Sequence, residues 1–208
     1  MNGKTLSVLI VDDHSVVRMG MAALLSAEAD LQVVGNAKNG IEAISQARAL
    51  QPDVIVMDME MPRKDGIETT TEIIAEQPDA KILILTSFST TDRIAKAIKA
   101  GALGAIMKNA DDSEMVAAIR AVGLGSTYLA KDIKRLFKED PPMPELSPRQ
   151  REILNSITRG LTNQDIATQL GISLDMVKKH MTALLQKMNV ANRSEAVAIA
   201  LKKHLLKA

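Results

Sequence analysis

The chain has 208 residues, enough for one large domain or two small ones, and no cysteine, which excludes disulfides and thiolate metal sites. Its 46% hydrophobic content suffices for a core, but no apolar run approaches the ~20 residues of a membrane span, and Met1-Asn2-Gly3-Lys4 does not open a signal peptide, so a soluble, cytoplasmic protein is expected. The formal net charge of +1 hides an asymmetry: residues 1–125 hold 12 Lys+Arg against 17 Asp+Glu, residues 146–208 hold 10 against 4, and the stretch between holds 4 of each.

In chain order, the front half alternates strand-like and helix-like patterns. Runs at 6–11, 31–37, 53–58, 81–86 and 104–107 are mostly rich in Val, Ile and Leu, as buried parallel strands are. Helical spacing separates them. It is carried by Val16, Met19, Ala23 and Leu24 over 15–27, by Ile41, Ile44 and Ala47 over 40–50, and by Ile67, Ile73 and Ile74 over 66–76. Helices over 91–100 and 112–122 follow. Asn39-Gly40 and Asp65-Gly66 mark turns that enter helices, and Ala100-Gly101 marks a helix stop. Five strands alternating with five helices predict an α/β, flavodoxin-like doubly wound sheet of five parallel strands over residues 1–124.

Glycines, prolines and mixed charge over residues 125–145 read as a linker holding one short helix around 130–138. Residues 146–208 show no strand pattern. Ser147-Pro148 starts a helix over 148–159, which Gly160 ends. Thr162 or Asn163 caps a short helix to Leu170, Gly171 turns the chain, and Ser173 caps a longer helix over 174–188. A last helix runs from Asn192 to about 203. This is a small all-α module with the helix-turn-helix pattern.

The polar residues at the predicted strand ends carry the chemistry. Asp12 and Asp13 close the first strand, Asp58 the third, Thr86 the fourth and Lys108 the fifth. Parallel strands bring these ends to one edge, where ligands collect. Grouped carboxylates repel one another and call for a cation, and oxygen ligation suits Mg²⁺. A carboxylate beside Mg²⁺, with a lysine and a hydroxyl close by, can accept a phosphoryl group. His14 is expected to face solvent or start a helix. A flavodoxin-like or phosphatase-like enzyme shares the fold, but Asp12-Asp13-His14 would repel a flavin phosphate and no phosphate-cradling glycine loop is present.

At this point the chain resembles response regulators of the NarL/FixJ type. Asp12-Asp13, Asp58 with Met61-Pro62-Arg63-Lys64-Asp65-Gly66, Thr86-Ser87 and Lys108 match the receiver pattern. Leu146-Ser147-Pro148-Arg149-Gln150-Arg151-Glu152-Ile153-Leu154, Gly160-Leu161-Thr162-Asn163-Gln164-Asp165-Ile166-Ala167, Val177-Lys178-Lys179-His180 and Arg193-Ser194-Glu195-Ala196-Val197 match the LuxR-type DNA-binding module. The resemblance implies that Asp58 is the phosphoacceptor, assisted by Thr86 and Lys108. It implies Mg²⁺ on Asp12, Asp13, Asp58 and the backbone carbonyl of Glu60. It also implies an aromatic on the fifth strand that relays switching. Ala105 stands at that position, so Phe88 or the Tyr128 region would have to substitute.

For the second module, the resemblance puts the helix over 174–188 in the major groove of double-stranded DNA. Lys178, Lys179 and Thr182 are placed for bases, with His180 and Lys187 on or near that face. Thr162, Asn163, Gln164, Ser173 and Arg193 suit phosphates. The last helix offers Val197, Ala200 and Leu201 for pairing two copies, although a core role would explain the same residues. Three aromatics in the whole chain, Phe88, Tyr128 and Phe137, argue against stacking on single strands. The implied protein is a transcription factor, not an enzyme, phosphorylated by a sensor histidine kinase, acting as a homodimer and working with RNA polymerase. The alternative is a DNA-binding regulator whose receiver is a phosphorylation-independent dimerisation module.

Overall fold

The structure, a computed structural model, describes residues 5–87 and 90–203, with Lys202 described by its backbone only. The chain divides into two compact units, residues 1–142 and 143–208. Among the described residues no helix is long and apolar enough to cross a membrane.

The first unit is a parallel sheet in the order β2-β1-β3-β4-β5-β6. Its strands are β1 (Leu6–Val11), β2 (Leu31–Ala37), β3 (Val54–Asp58), β4 (Ile82–Thr86), β5 (Gly104–Met107) and β6 (Tyr128–Leu129). Helices α1 (Ser15–Ser26), α2 (Gly40–Leu50), α3 (Gly66–Glu76), α4 (Thr91–Lys99) and α5 (Asp112–Gly123) make the crossovers. Every residue of β3 and β4 is buried, which is why these strands read as unbroken apolar runs rather than alternating ones. The helix starts are fixed locally. Asn39, Asp65 and Asp111 each accept a hydrogen bond from the amide three residues on, giving one orphan N–H of the first turn a partner.

Two expectations need correction. The sequence predicts five strands and a linker over residues 125–145 holding one short helix around 130–138; that helix is present, but the stretch is not a free linker. Instead, β6 pairs with β5 through Gly104↔Tyr128 and Ala105↔Leu129, and α6 (Lys131–Glu139) docks on the same unit. Ile133 of α6 is wholly buried in the sheet's core and Phe137 packs against it. A Cβ on Gly104 would lie 2.4 Å from the Tyr128 carbonyl oxygen, so the close approach of β6 needs glycine there. The signal was weak because two residues show no periodicity, and a docked amphipathic turn carries the same punctuation as a free one.

The second correction concerns α1. It buries Met21 and Leu25, while Val16 and Met19 stand 73% and 63% exposed. The helix carries two apolar stripes, and spacing alone does not choose between them.

The second unit packs α7 (Pro148–Thr158), α8 (Asn163–Leu170), α9 (Leu174–Met188) and α10 (Arg193–Lys202) around their own core. Ser147 and Gln150 form a reciprocal capping box at α7, as Thr162 and Asp165 do at α8. Gly171 adopts φ +61° between α8 and α9, the left-handed turn that joins the two helices.

Candidate functional site

The carboxyl ends of the strands assemble one pocket. Strand order reverses on either side of β1, so the ends of β1 and β3 flank a topological switch point. Asp12 follows β1 and is wholly buried; Asp58 ends β3 and is 2% exposed. Lys108 follows β5, and its amide donates to the Thr86 carbonyl at 2.8 Å, tying the last two groups together. Thr86 is itself buried at the end of β4. Gly66 lets the β3–α3 turn close over this edge, since a Cβ there would sit 2.3 Å from the Asp58 carbonyl oxygen.

The ammonium of Lys108 lies 2.7 Å from Asp12 Oδ2 and 2.8 Å from Asp58 Oδ2. Both oxygens make charge contact with it, but neither has a well-angled hydrogen bond. The other oxygen of each carboxylate is held by the backbone. The His14 amide donates to Asp12 Oδ1 at 2.8 Å and the Glu60 amide to Asp58 Oδ1 at 3.2 Å.

Burial pushes the Asp58 carboxyl above the ordinary aspartate range. The Lys108 contact pulls the other way and the neighbouring Asp12 charge adds to the rise. For Lys108, burial alone would lower the pKa, but the contacts to Asp12 and Asp58 outweigh it and hold the ammonium charged. The pocket therefore combines a fixed cation with an acid whose ionised form is poorly solvated.

Asp12, Asp13, His14 and Asp58 each offer a ligand atom, and these atoms lie within 4.8 Å of one another. The oxygen-rich donor set and the two buried carboxylates fit a hard divalent cation. Of the expected site residues, Asp12, Asp58, Lys108 and Thr86 converge at this edge, Asp13 stands at its rim, and Glu60 is tied in by its amide. His14 faces solvent at the N-cap of α1, as expected. Its side chain is 67% exposed, yet Nδ1 lies 2.7 Å from Asp13 Oδ1 and 3.2 Å from Asp12 Oδ1. Arg18 was missed by the sequence reading: its guanidinium donates to the Asp12 carbonyl at 2.7 Å. The i,i+6 separation from Asp12 across a turn and one helix start was its only signal. Ala105 is wholly buried in β5 beside β6, Phe88 lies outside the described residues, and Tyr128 donates to Glu114 at 3.3 Å.

In the second unit, Lys178, Lys179 and Thr182 share the exposed side of α9. Lys178 pairs with Asp175 at 3.6 Å, and the Thr182 hydroxyl donates to the Lys178 carbonyl at 3.0 Å. His180 and Lys187 are half-buried on the same helix. Thr162 and Ser173 cap α8 and α9, while Asn163 and Gln164 open α8. Arg193 is turned inward: its guanidinium donates to the Leu161 carbonyl and approaches that of Ile157. Ala200 is 1% exposed in the module's own core and Val197 packs against that core, whereas Leu201 is 63% exposed. The last helix thus presents Leu201 rather than a continuous small-residue face.

Comparison with known proteins agrees with both halves. Residues 8–120 match the response regulator receiver domain, and residues 144–200 match the bacterial regulatory proteins of the luxR family. The chain is 41% identical over 207 residues to the transcriptional regulatory protein LiaR of Bacillus subtilis, covering 96% of this chain and 98% of that one. It is 37% identical over 215 residues to the oxygen regulatory protein NreC of Staphylococcus carnosus, covering 97% and 99%. Among solved structures, the response regulator ChrA of a heme-sensing two-component system superposes with a TM-score of 0.57 at 34% identity, covering 98% of this chain and all of that one. The chain therefore belongs to the response regulators that join a receiver domain to a regulatory module of the luxR family.

Proposed function

We propose that this response regulator takes a phosphoryl group on Asp58 from a sensor histidine kinase and, as a dimer, then binds specific double-stranded DNA to control transcription. One observation carries the reading: a buried carboxylate faces a half-buried ammonium 2.8 Å away, within an acidic cluster at the switch point of the sheet.

Asp58 supplies the nucleophile. One of its oxygens forms a bond to phosphorus as the phosphorus–nitrogen bond of the donor breaks, and the departing imidazole takes up a proton. Lys108 pairs with the phosphoryl oxygens as charge builds on them, and the Thr86 hydroxyl donates to one. Each such charged contact contributes roughly 1.5–3 kcal/mol. Asp12, Asp13, Asp58 and the Glu60 carbonyl are the groups proposed to hold Mg²⁺, which when bound screens the repulsion between carboxylate and phosphoryl group.

The new dianion draws Lys108 and Thr86 toward it. Both sit at the ends of β5 and β4, so their displacement reaches the segment leading into α4. In the second unit, Lys178, Lys179 and Thr182 read bases while Thr162, Asn163, Gln164 and Ser173 lie along phosphates. Arg193, also suited to phosphate, braces the α7–α8 turn through the Leu161 carbonyl.

A second reading, the receiver as a constitutive dimerisation module, draws on Ala105, which has no ring to swing into a vacated space. Incubation with Mg²⁺ and acetyl phosphate followed by intact mass separates the two. The first reading predicts one added phosphoryl group on the native chain and none on Asp58→Asn; the second predicts none on either.

A further inference from the structure

We infer that His14 contributes a nitrogen donor to the divalent-cation site, so that the site holds nitrogen-favouring first-row ions more tightly than its carboxylates alone would. The inference rests on the proposed Mg²⁺ site and concerns which ions that site prefers.

The starting point is which oxygens remain for an ion. Lys108 already engages Asp12 Oδ2 and Asp58 Oδ2. That leaves Asp12 Oδ1, Asp58 Oδ1 and the Asp13 carboxylate outside the ammonium's contacts; His14 Nδ1 stands 3.2 Å from Asp12 Oδ1 and 2.7 Å from Asp13 Oδ1, and the latter is a buried atom with no hydrogen-bond partner. In an octahedral shell with bonds of about 2.0–2.1 Å, neighbouring donors are roughly 2.8–3.0 Å apart. The two observed separations bracket that edge. Three consecutive residues thus present three donor atoms, with His14 Nδ1 at coordination-shell spacing from the other two.

The backbone holds this arrangement. His14 is the N-cap residue of α1 with φ −84° and ψ 115°, and its own amide donates to Asp12 Oδ1 at 2.8 Å. The Arg18 guanidinium holds the Asp12 carbonyl from the other side. These contacts fix where the imidazole leaves the chain, although the ring itself is largely in solvent.

The chemistry follows from donor type. Mg²⁺ prefers oxygen, surrenders water reluctantly and gains little from an imidazole, whereas Ni²⁺ gains much. Coordination through Nδ1 requires the tautomer with hydrogen on Nε2, which the exposed edge of the ring leaves to solvent. Without an ion, a hydrogen on Nδ1 makes the 3.2 Å contact to Asp12 Oδ1 a hydrogen bond, so the two states are distinguished by what is bound.

The test uses the untagged full-length chain, stripped of metal, at pH 8. Mg²⁺ and Ni²⁺ are titrated calorimetrically into the native protein, His14→Ala and His14→Asn, the last keeping a good helix-start residue. Mn²⁺-loaded samples are examined by pulsed electron paramagnetic resonance for coupling to nitrogen. The inference predicts about a tenfold loss of Ni²⁺ affinity in both variants with Mg²⁺ affinity changed less than about twofold. It also predicts nitrogen coupling in the native protein that both variants lose. Equal losses for both ions, or no nitrogen coupling in the native protein, would overturn it and leave His14 as a hydrogen-bond partner of Asp12. Failure of the native protein to bind any of the three ions would overturn the cation site itself, and this inference with it.

Discussion

Replacing Lys108 with methionine keeps most of the side-chain volume and removes only the charge. The ammonium it deletes lies 2.7 Å from Asp12 and 2.8 Å from Asp58, and those carboxylates are 0% and 3% exposed. Removing one partner of a buried pair costs about 3–5 kcal/mol, because the other charge is left uncompensated. Lys108 keeps 16% of its side chain in water, and Asp58, already pushed up by burial, can take a proton instead. Both effects favour the lower end, about 3 kcal/mol.

The assay is urea unfolding followed by the fluorescence of Tyr128. It is the only tyrosine in a chain without tryptophan, and it lies in β6, so it reports the first unit alone. In chelator, Lys108→Met should unfold at clearly lower urea than the native chain. Millimolar Mg²⁺ should recover much of the difference. Adding Asp58→Asn to Lys108→Met should restore about 1 kcal/mol or more, because the two sites share one interaction. Unchanged unfolding of Lys108→Met, or strictly additive losses in the double variant, would refute the argument that these charges depend on one another.

Ile133→Ala should destabilise the first unit by about 2–5 kcal/mol, the cost of emptying a fully buried site, and an unaltered Tyr128 transition would show that α6 is not part of that core. Lys179→Ala should weaken binding to the preferred site by about 1–3 kcal/mol and relax one position of it, whereas an unchanged footprint and affinity would remove Lys179 from the contact set. The Ser113 hydroxyl and then the Glu114 amide hold the Asp111 carboxyl below the usual aspartate range. Its stabilising effect is therefore fully present above the unfolded pKa of about 3.9 and disappears as pH falls through the lower folded value. Asp58, held above the usual range, acts in the opposite sense, so the comparison is between the native chain and Asp111→Asn. The variant should lose less first-unit stability between pH 5 and pH 3, and parallel pH profiles would refute the linkage.

Much of the molecule was legible because its signals are local. Strands such as Val54–Asp58 are buried on both faces and so appear as apolar runs. Asn39, Asp65 and Ser173 start helices with side chains that accept from the backbone. Asp12, Asp58, Thr86 and Lys108 could be grouped in advance because a parallel sheet brings all its strand ends to one edge. What was not legible depends on tertiary choice. The two apolar stripes of α1 are equivalent until a sheet selects Met21 and Leu25. The pairing of β6 rests on the missing side chain at Gly104 and not on any pattern within Tyr128–Leu129. Ala200 fits an interface or a core by size alone, and only packing put it in the core. Nothing in the neighbourhood of Arg193 along the chain shows that the carbonyls of Ile157 and Leu161 will meet it.

In the proposed function, charge captured on Asp58 governs how the second unit meets a duplex. The direct measurement selects a preferred site from random DNA. It then titrates the native chain and Asp58→Asn onto that site, each with and without Mg²⁺ and acetyl phosphate. The account predicts that the donor tightens binding of the native chain at least tenfold and leaves Asp58→Asn unmoved. Equal affinities across all four titrations would contradict it.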